Sequence, residues 1–169
     1  MNVQLLSEQP VNVQGTLDDA DIRRLLIYVV AHGQRFDPGV RLDSMEALRS
    51  RVADPEVQAA LCAAARQDDN PAVRLKALET LEGRGGDLTV QQTILGALSQ
   101  DDNAGVRIEA VNSLLAIGSE ELRGIGSDAQ AMDILRDRER NDPNSYVRLR
   151  SAAALSRLAS LDSNEESRP

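Results

Sequence analysis

Histidine, cysteine and aromatic residues are nearly absent from this chain, and each absence removes a class of function. His32 is the only histidine and Cys62 the only cysteine. An intramolecular disulfide, a cysteine-rich zinc site and a multi-histidine metal centre are therefore excluded, and one imidazole leaves little for acid–base chemistry. The aromatic side chains are Tyr28, Phe36 and Tyr146, with no tryptophan. Stacking of single-stranded bases needs more rings than that. Positive charge is also short: 19 Lys and Arg stand against 27 Asp and Glu, a net charge of −8. This argues against nucleic acid or an anionic membrane surface as the main partner. No apolar run approaches the ~18 residues of a bilayer span. The first residues, Met1 to Leu5, lack the basic region and apolar core of a signal peptide.

What the chain has in quantity is small and aliphatic. Hydrophobic residues make up 41% of the 169, almost all Leu, Ala, Val and Ile. That composition points to closely packed helices rather than to a β-sandwich, whose strands favour aromatic and β-branched residues.

The chain also repeats itself. A Val-Arg pair occurs at Val40-Arg41, Val73-Arg74, Val106-Arg107 and Val147-Arg148, with spacings of 33, 33 and 41 residues. An aspartate precedes each Val by nineteen positions: Asp21, Asp54, Asp87 and Asp128. Asp37, Asn70, Asn103 or Asn144 precedes it by three, and Leu48, Leu81, Leu114 or Leu155 follows it by eight. Four units are predicted, 21–53, 54–86, 87–127 and 128–161. The eight extra residues of the third lie near 118–127, where Gly and Ser are frequent.

Each unit reads as a helical hairpin. The leading aspartate is a good N-cap for a first helix, helix A. Apolar residues of helix A match between units: Leu25, Tyr28 and Val29; Val57, Leu61 and Cys62; Val90, Ile94 and Leu95; Met132 and Leu135. A polar link follows (RFD, QDDN, QDDN or NDPN), and its last residue caps helix B. On helix B, at 100° per residue, apolar positions cover an arc of about 200°. A helix flanked by its own partner and by both neighbouring hairpins needs that breadth. Ser44, Ala77, Ala110 and Ser151 keep the backbones close. The arginine after each Val falls inside the apolar arc, so it must find acceptors. A structural ladder is predicted, in which Arg41, Arg74, Arg107 and Arg148 meet link carboxylates such as Asp68, Asp101 and Asp142. Arginines aimed at a ligand phosphate are the competing reading.

The stretches DDNPAVRLKAL, DDNAGVRIEAV and NDPNSYVRLRSA, with FDPGVRLDSM less complete, resemble the HEAT repeat, whose second helix opens Asp-x-x-x-x-Val-Arg-x-x-Ala. The resemblance spans about residues 21–160. It implies an all-α fold, a right-handed HEAT-like α-solenoid of four hairpins with helices B on the concave side, and a binding scaffold rather than an enzyme. A finer similarity, carried by DIRRLLIYVV, DPEVQAAL, NPAVRLKALETL and NSYVRLRSAAAL, is to the C-terminal HEAT region of bacterial membrane-tethered zinc-finger anti-sigma-type proteins. This implies a sensor or regulatory domain without σ-factor contacts of its own. Its location would be extracytoplasmic in a membrane-tethered protein and cytoplasmic otherwise.

The ends depart from the repeats. Val3 and Leu5, then Val11 and Val13, alternate around Glu8-Gln9-Pro10, so residues 1–20 are predicted to form an extended or β-hairpin capping segment. A segment tethered to a preceding domain is the alternative. Residues 162–169 are polar and expected to be disordered.

Few residues promise chemistry. His32 falls at a helix C-terminus, Cys62 at a core position, and the Asp68-Asp69 and Asp101-Asp102 pairs lack a calcium-loop spacing. No catalytic residue, metal site or cofactor is expected. The outward positions of helix B say more. Three residues after each Val come Asp43, Lys76, Glu109 and Arg150; six after come Glu46, Glu79, Asn112 and Ala153. Together they predict a groove that is acidic over three units and basic at the fourth, suited to a basic protein or peptide. The chain is expected to be a monomer or weak homodimer that inserts in no membrane. An ordinary solvated face, a spacer domain and a HEAT-like enzyme of the bilin lyase type are the alternatives.

Overall fold

The computed structural model describes residues 16–118, 122, 124, 125 and 128–165. The segment 1–15 and residues 166–169 lie outside the described residues, as does most of the stretch 119–127. Residues 1–15 of the predicted extended arm fall there; residues 17–19 instead form a turn and Ala20 opens the first helix. Among the described residues, α-helices with described bounds follow in order: α1 (Ala20–Ala31), α2 (Pro38–Leu48), α3 (Pro55–Gln67), α4 (Pro71–Thr80), α5 (Leu88–Gln100), α6 (Ala104–Ala116), α7 (Ala129–Asn141) and α8 (Ser145–Glu165). Among the described residues there is no strand. Single 3₁₀ turns, Gly33–Arg35 and Arg49–Arg51, flank α2.

Short links fold consecutive helices into antiparallel hairpins, α1 on α2, α3 on α4, α5 on α6 and α7 on α8. Hairpins then stack in order. The first helices form one layer, α1, α3, α5 and α7, and the second helices the other, α2, α4, α6 and α8. This is a HEAT-like α-solenoid, in which each unit buries its apolar flank on the next.

Local chemistry sets the helix starts. Asp37, Asp54, Asn70, Asp87, Asn103 and Asp128 each accept a hydrogen bond from the backbone N–H two residues on. Asn144 does the same for Tyr146 N–H at 2.9 Å. Pro38, Pro55 and Pro71 sit at first helical positions, where no N–H is needed. The first helix corrects one expectation. Its N-cap is Asp19, which accepts from Asp21 N–H, so Asp21 lies inside α1. Tandem aspartates offered two caps two residues apart, and the helix took the earlier one.

One core runs the length of the stack. Val57, Leu61, Cys62, Val73, Leu78, Val90, Leu98, Val106, Leu114, Leu135 and Val147 are fully or almost fully buried. Ser44, Ala77, Ala110 and Ser151 are buried where the second helices approach one another. Leu122 and Ile125, in the extra segment of the third unit, also join the core.

The end units differ from the inner ones. Val40 is 47% exposed, whereas Val73, Val106 and Val147 are 0% exposed. Leu25 and Tyr28 are exposed too, and α1 buries Val29 and Val30 instead. These side chains occupy the flank that the inner units press against a preceding hairpin, and no described hairpin precedes α1. At the other end Leu149 is 65% exposed, although its counterparts Leu42, Leu75 and Ile108 pack against the core. Finally, α8 continues to Glu165 rather than ending near 161. Its buried early turns, closed by Leu158, nucleate a helix that the polar residues 162–165 extend.

Candidate functional site

Two arrays of side chains cross the hairpin boundaries. The first is the arginine ladder. Arg107 Nε donates to Asp142 Oδ2 at 2.8 Å and Nη2 to Asp142 Oδ1 at 3.0 Å. Its Nη1 donates to the carbonyls of Asp101 and Asp102 in its own link, at 2.9 and 3.1 Å. Arg74 repeats the pattern. Nε and Nη2 reach Asp101 Oδ2 and Oδ1 at 2.7 and 2.8 Å, and Nη1 reaches the Asp68 carbonyl at 2.9 Å. Nη2 also reaches the exposed Asp102 at 3.0 Å. Each guanidinium thus fastens its own link and grips the link of the next hairpin.

The acceptor aspartates end the first helices. Asp68, Asp101 and Asp142 are the C-cap residues of α3, α5 and α7. Their Oδ1 atoms accept from Asn70, Asn103 and Asn144 N–H at 2.9, 2.9 and 2.8 Å. Burial pushes the Asp101 and Asp142 carboxyls up. The hydrogen bonds and charge of Arg74 and Arg107, with the link N–H groups, outweigh it and hold both below the ordinary value. The arginine side of these contacts follows from sequence. Nothing in the sequence announces the carbonyl acceptors.

The terminal rungs depart from this pattern. Arg41, 2% exposed, places Nη2 3.2 Å from Asp68 Oδ1 and 3.2 Å from Asp69 Oδ1, and Nη1 donates to the Gly33 carbonyl. Its buried Nε has no hydrogen-bond partner among the described residues. Burial prevails at Asp68, whose carboxyl lies above the ordinary value. Arg148 Nη1 donates to the Asp142 and Pro143 carbonyls at 2.7 and 3.3 Å. Arg148 meets no carboxylate among the described residues, because no described hairpin follows α8. The expectation that it bridges to a link carboxylate is corrected accordingly.

The second array is the ridge along the helices B. Lys76 Nζ lies 2.6 Å from Glu46 Oε2 of the preceding hairpin and 3.9 Å from Glu79 Oε2. Arg150 Nε donates to Asn112 Oδ1 at 2.8 Å and lies 6.0 Å from the Tyr146 ring. Asp43 is exposed and stands apart from these contacts. Glu109 is half-buried between the two pairs. Burial raises its carboxyl, and the charges of Glu79 and Glu82 raise it further. The cations of this ridge are therefore engaged across hairpins, while the acids from Glu79 to Glu109 crowd one another.

Other sequence candidates find structural roles. His32 is the C-cap of α1; its Nδ1 lies 3.0 Å from the Tyr28 carbonyl, and its ring stacks on Tyr28 at 4.0 Å. Cys62 is buried, and burial raises its thiol. Arg157 carries a role its repeat position does not disclose. Its Nη1 donates to the Leu115 carbonyl and its Nη2 to the Ile117 carbonyl at 3.0 Å, closing the C-terminus of α6. Arg157 therefore ties α8 to the end of α6.

Stacked hairpins tied through their links define a helical-repeat protein. The HEAT-repeat family model matches residues 59–156. The chain belongs to the HEAT-repeat family. No curated protein and no solved structure matches it. Among the described residues no helix is long and apolar enough to cross a membrane.

Proposed function

We propose that the chain is a non-enzymatic scaffold that binds a basic protein or peptide segment along the ridge of α2, α4, α6 and α8. Asp43, Glu46, Glu79 and Glu109 supply acceptors, Asn112 a neutral contact, and Lys76 and Arg150 fix the register by repelling misplaced cations. The observation that carries this reading is Glu109, a half-buried carboxyl beside Glu79 and Glu82. A lysine or arginine of a partner relieves that crowding, and the charge pattern speeds its encounter.

The motif similarity to anti-sigma-type proteins supports a sensor or regulatory domain as the setting. There the ridge would read a basic segment while σ-factor contact belongs elsewhere. Such a domain is extracytoplasmic in a membrane-tethered protein and cytoplasmic in a free one. It acts as a monomer or weak homodimer.

The test uses fluorescence anisotropy with a labelled lysine-rich peptide and its glutamate-rich counterpart at several salt concentrations. The expected result is binding of the basic peptide alone, weakened by salt and abolished when Glu46, Glu79 and Glu109 are changed together to Lys. Equal binding by that triple variant would overturn the reading.

A further inference from the structure

We propose that the exposed end of α8 is a docking site for an aspartate-bearing loop of another polypeptide, with Arg148 as its carboxylate receptor and Leu149 as its apolar contact. This surface is separate from the helix-B ridge, and neither reading depends on the other.

The inner rungs show what the site takes. In Arg74, Arg107 and Arg148 alike, Nη1 is fixed on the carbonyls of the arginine's own link. A planar guanidinium held at that nitrogen turns its Nε–Nη2 edge outward. In Arg74 and Arg107 the edge holds one aspartate through two hydrogen bonds of 2.7–3.0 Å, the bidentate geometry guanidinium favours for carboxylates. In Arg148 the same edge has no partner among the described residues. Leucine placement repeats the comparison. Leu75 packs towards the start of the next second helix, where a Cβ on Gly105 would lie 3.8 Å from Leu75 Cδ1. Leu149, in the equivalent position, is 65% exposed, and Tyr146 beside it is 45% exposed. The end face thus presents the pair of side chains with which inner hairpins hold their neighbours.

No described residue supplies the occupant. Helix α8 runs eighteen residues past Val147 to Glu165, whereas α4 and α6 stop seven and ten residues past Val73 and Val106. It carries the chain about 25 Å from Arg148. A second copy stacked head to tail is disfavoured as well. Where the inner links place Asp68, Asp101 and Asp142, the first link places Arg35, which donates to Tyr28 Oη at 2.9 Å. A second copy would set Arg35 against Arg148. The favoured partner therefore carries an acidic loop ahead of a helix, as in the link Asp101-Asp102-Asn103.

The experiment follows the Arg Nε–Hε resonances of the full ¹⁵N-labelled chain during titration with a blocked peptide copying residues 100–105. A control peptide has Asn in place of both Asp residues. The expected result is a saturable shift of the Arg148 resonance in the millimolar range, at least tenfold weaker for the control. The Leu149→Ala variant, exposed and without risk to the fold, should weaken binding at least threefold. Arg148→Gln should remove the remaining peptide-induced shifts of neighbouring backbone amides. An unmoved Arg148 resonance, equal response to the two peptides, or retained binding in Arg148→Gln would overturn the proposal. Sedimentation at rising concentration separates the other occupant: self-association lost in Arg148→Gln would assign the site to a second copy and overturn it too.

Discussion

Arg107 holds Asp142 of the next hairpin by two hydrogen bonds and its own link by two more, with side chains 6% and 0% exposed. Every nitrogen of that guanidinium is engaged, and the carboxylate also accepts from Asn144 N–H. A buried ion pair satisfied this fully is costly to break from one side, because the surviving carboxylate stays buried with only the Asn144 N–H and the longer 3.4 Å contact of Arg138.

Arg107→Ala should therefore lower unfolding free energy by about 3–5 kcal/mol. Arg24, 74% exposed and, among the described residues, paired only with Asp21 along its own helix, should tolerate alanine within about 0.5 kcal/mol. Arg157→Ala should fall between, at about 1.5–3 kcal/mol, since it leaves the Leu115 and Ile117 carbonyls without their charged donor. Urea titrations monitored by circular dichroism rank the three. Equal midpoints for Arg107→Ala and Arg24→Ala would contradict the ladder.

The ladder also sets a response to acid. Asp101 and Asp142 bind protons less readily in the folded chain than in the unfolded one. Their contribution is complete above the ordinary carboxylate value of about 3.9 and drains away as pH falls through their lowered folded values. Asp68, raised by burial, has the opposite sign: ionised, it costs stability at neutral pH, and protonation relieves it. Asp101→Asn should start less stable at pH 7 and lose less below pH 4, whereas Asp68→Asn, which forgoes the relief that protonation brings, should lose somewhat more on acidification than the natural chain. Parallel stability–pH curves for the natural chain and Asp101→Asn would refute this assignment.

Gly83 follows α4 with φ of 80°, and a Cβ there would touch nothing within 4 Å. Its replacement by Ala thus isolates the backbone cost of the left-handed conformation, about 1–2 kcal/mol. Thermal denaturation should show that loss with the helical signal unchanged. An unaltered melting temperature would mean the turn relaxes out of the left-handed region.

The repeat was legible because one physical demand recurs four times: a cap, an apolar arc and a buried arginine at fixed spacing. The same spacing sets the starts of α3 to α7, and Arg74 and Arg107 reach aspartates of the following link while Arg148 reaches none among the described residues. What it missed lies where repetition stops. Val40 and Leu149 keep their repeat identities, but no described hairpin covers the flank of either, and burial depends on the neighbour rather than on the residue. Asp19 outcompeted Asp21 because tandem aspartates leave the cap ambiguous. Arg157 escaped notice because carbonyl acceptors are the same in every residue, and no periodicity marks the ones a long side chain will find. The ridge charges follow from helical spacing on the second helices. That Lys76 is already engaged with Glu46, and Arg150 with Asn112, depends on distances between hairpins that composition does not encode.

The coupling between Arg107 and Asp142 is the most direct measure of whether adjacent hairpins are tied through their links. A double-mutant cycle with Arg107→Ala, Asp142→Ala and both together gives it from urea unfolding alone. The expected outcome is a double variant little worse than the more damaging single one, with a coupling energy above about 2 kcal/mol. Losses that add to within about 0.5 kcal/mol would show the two residues acting independently and would contradict the account.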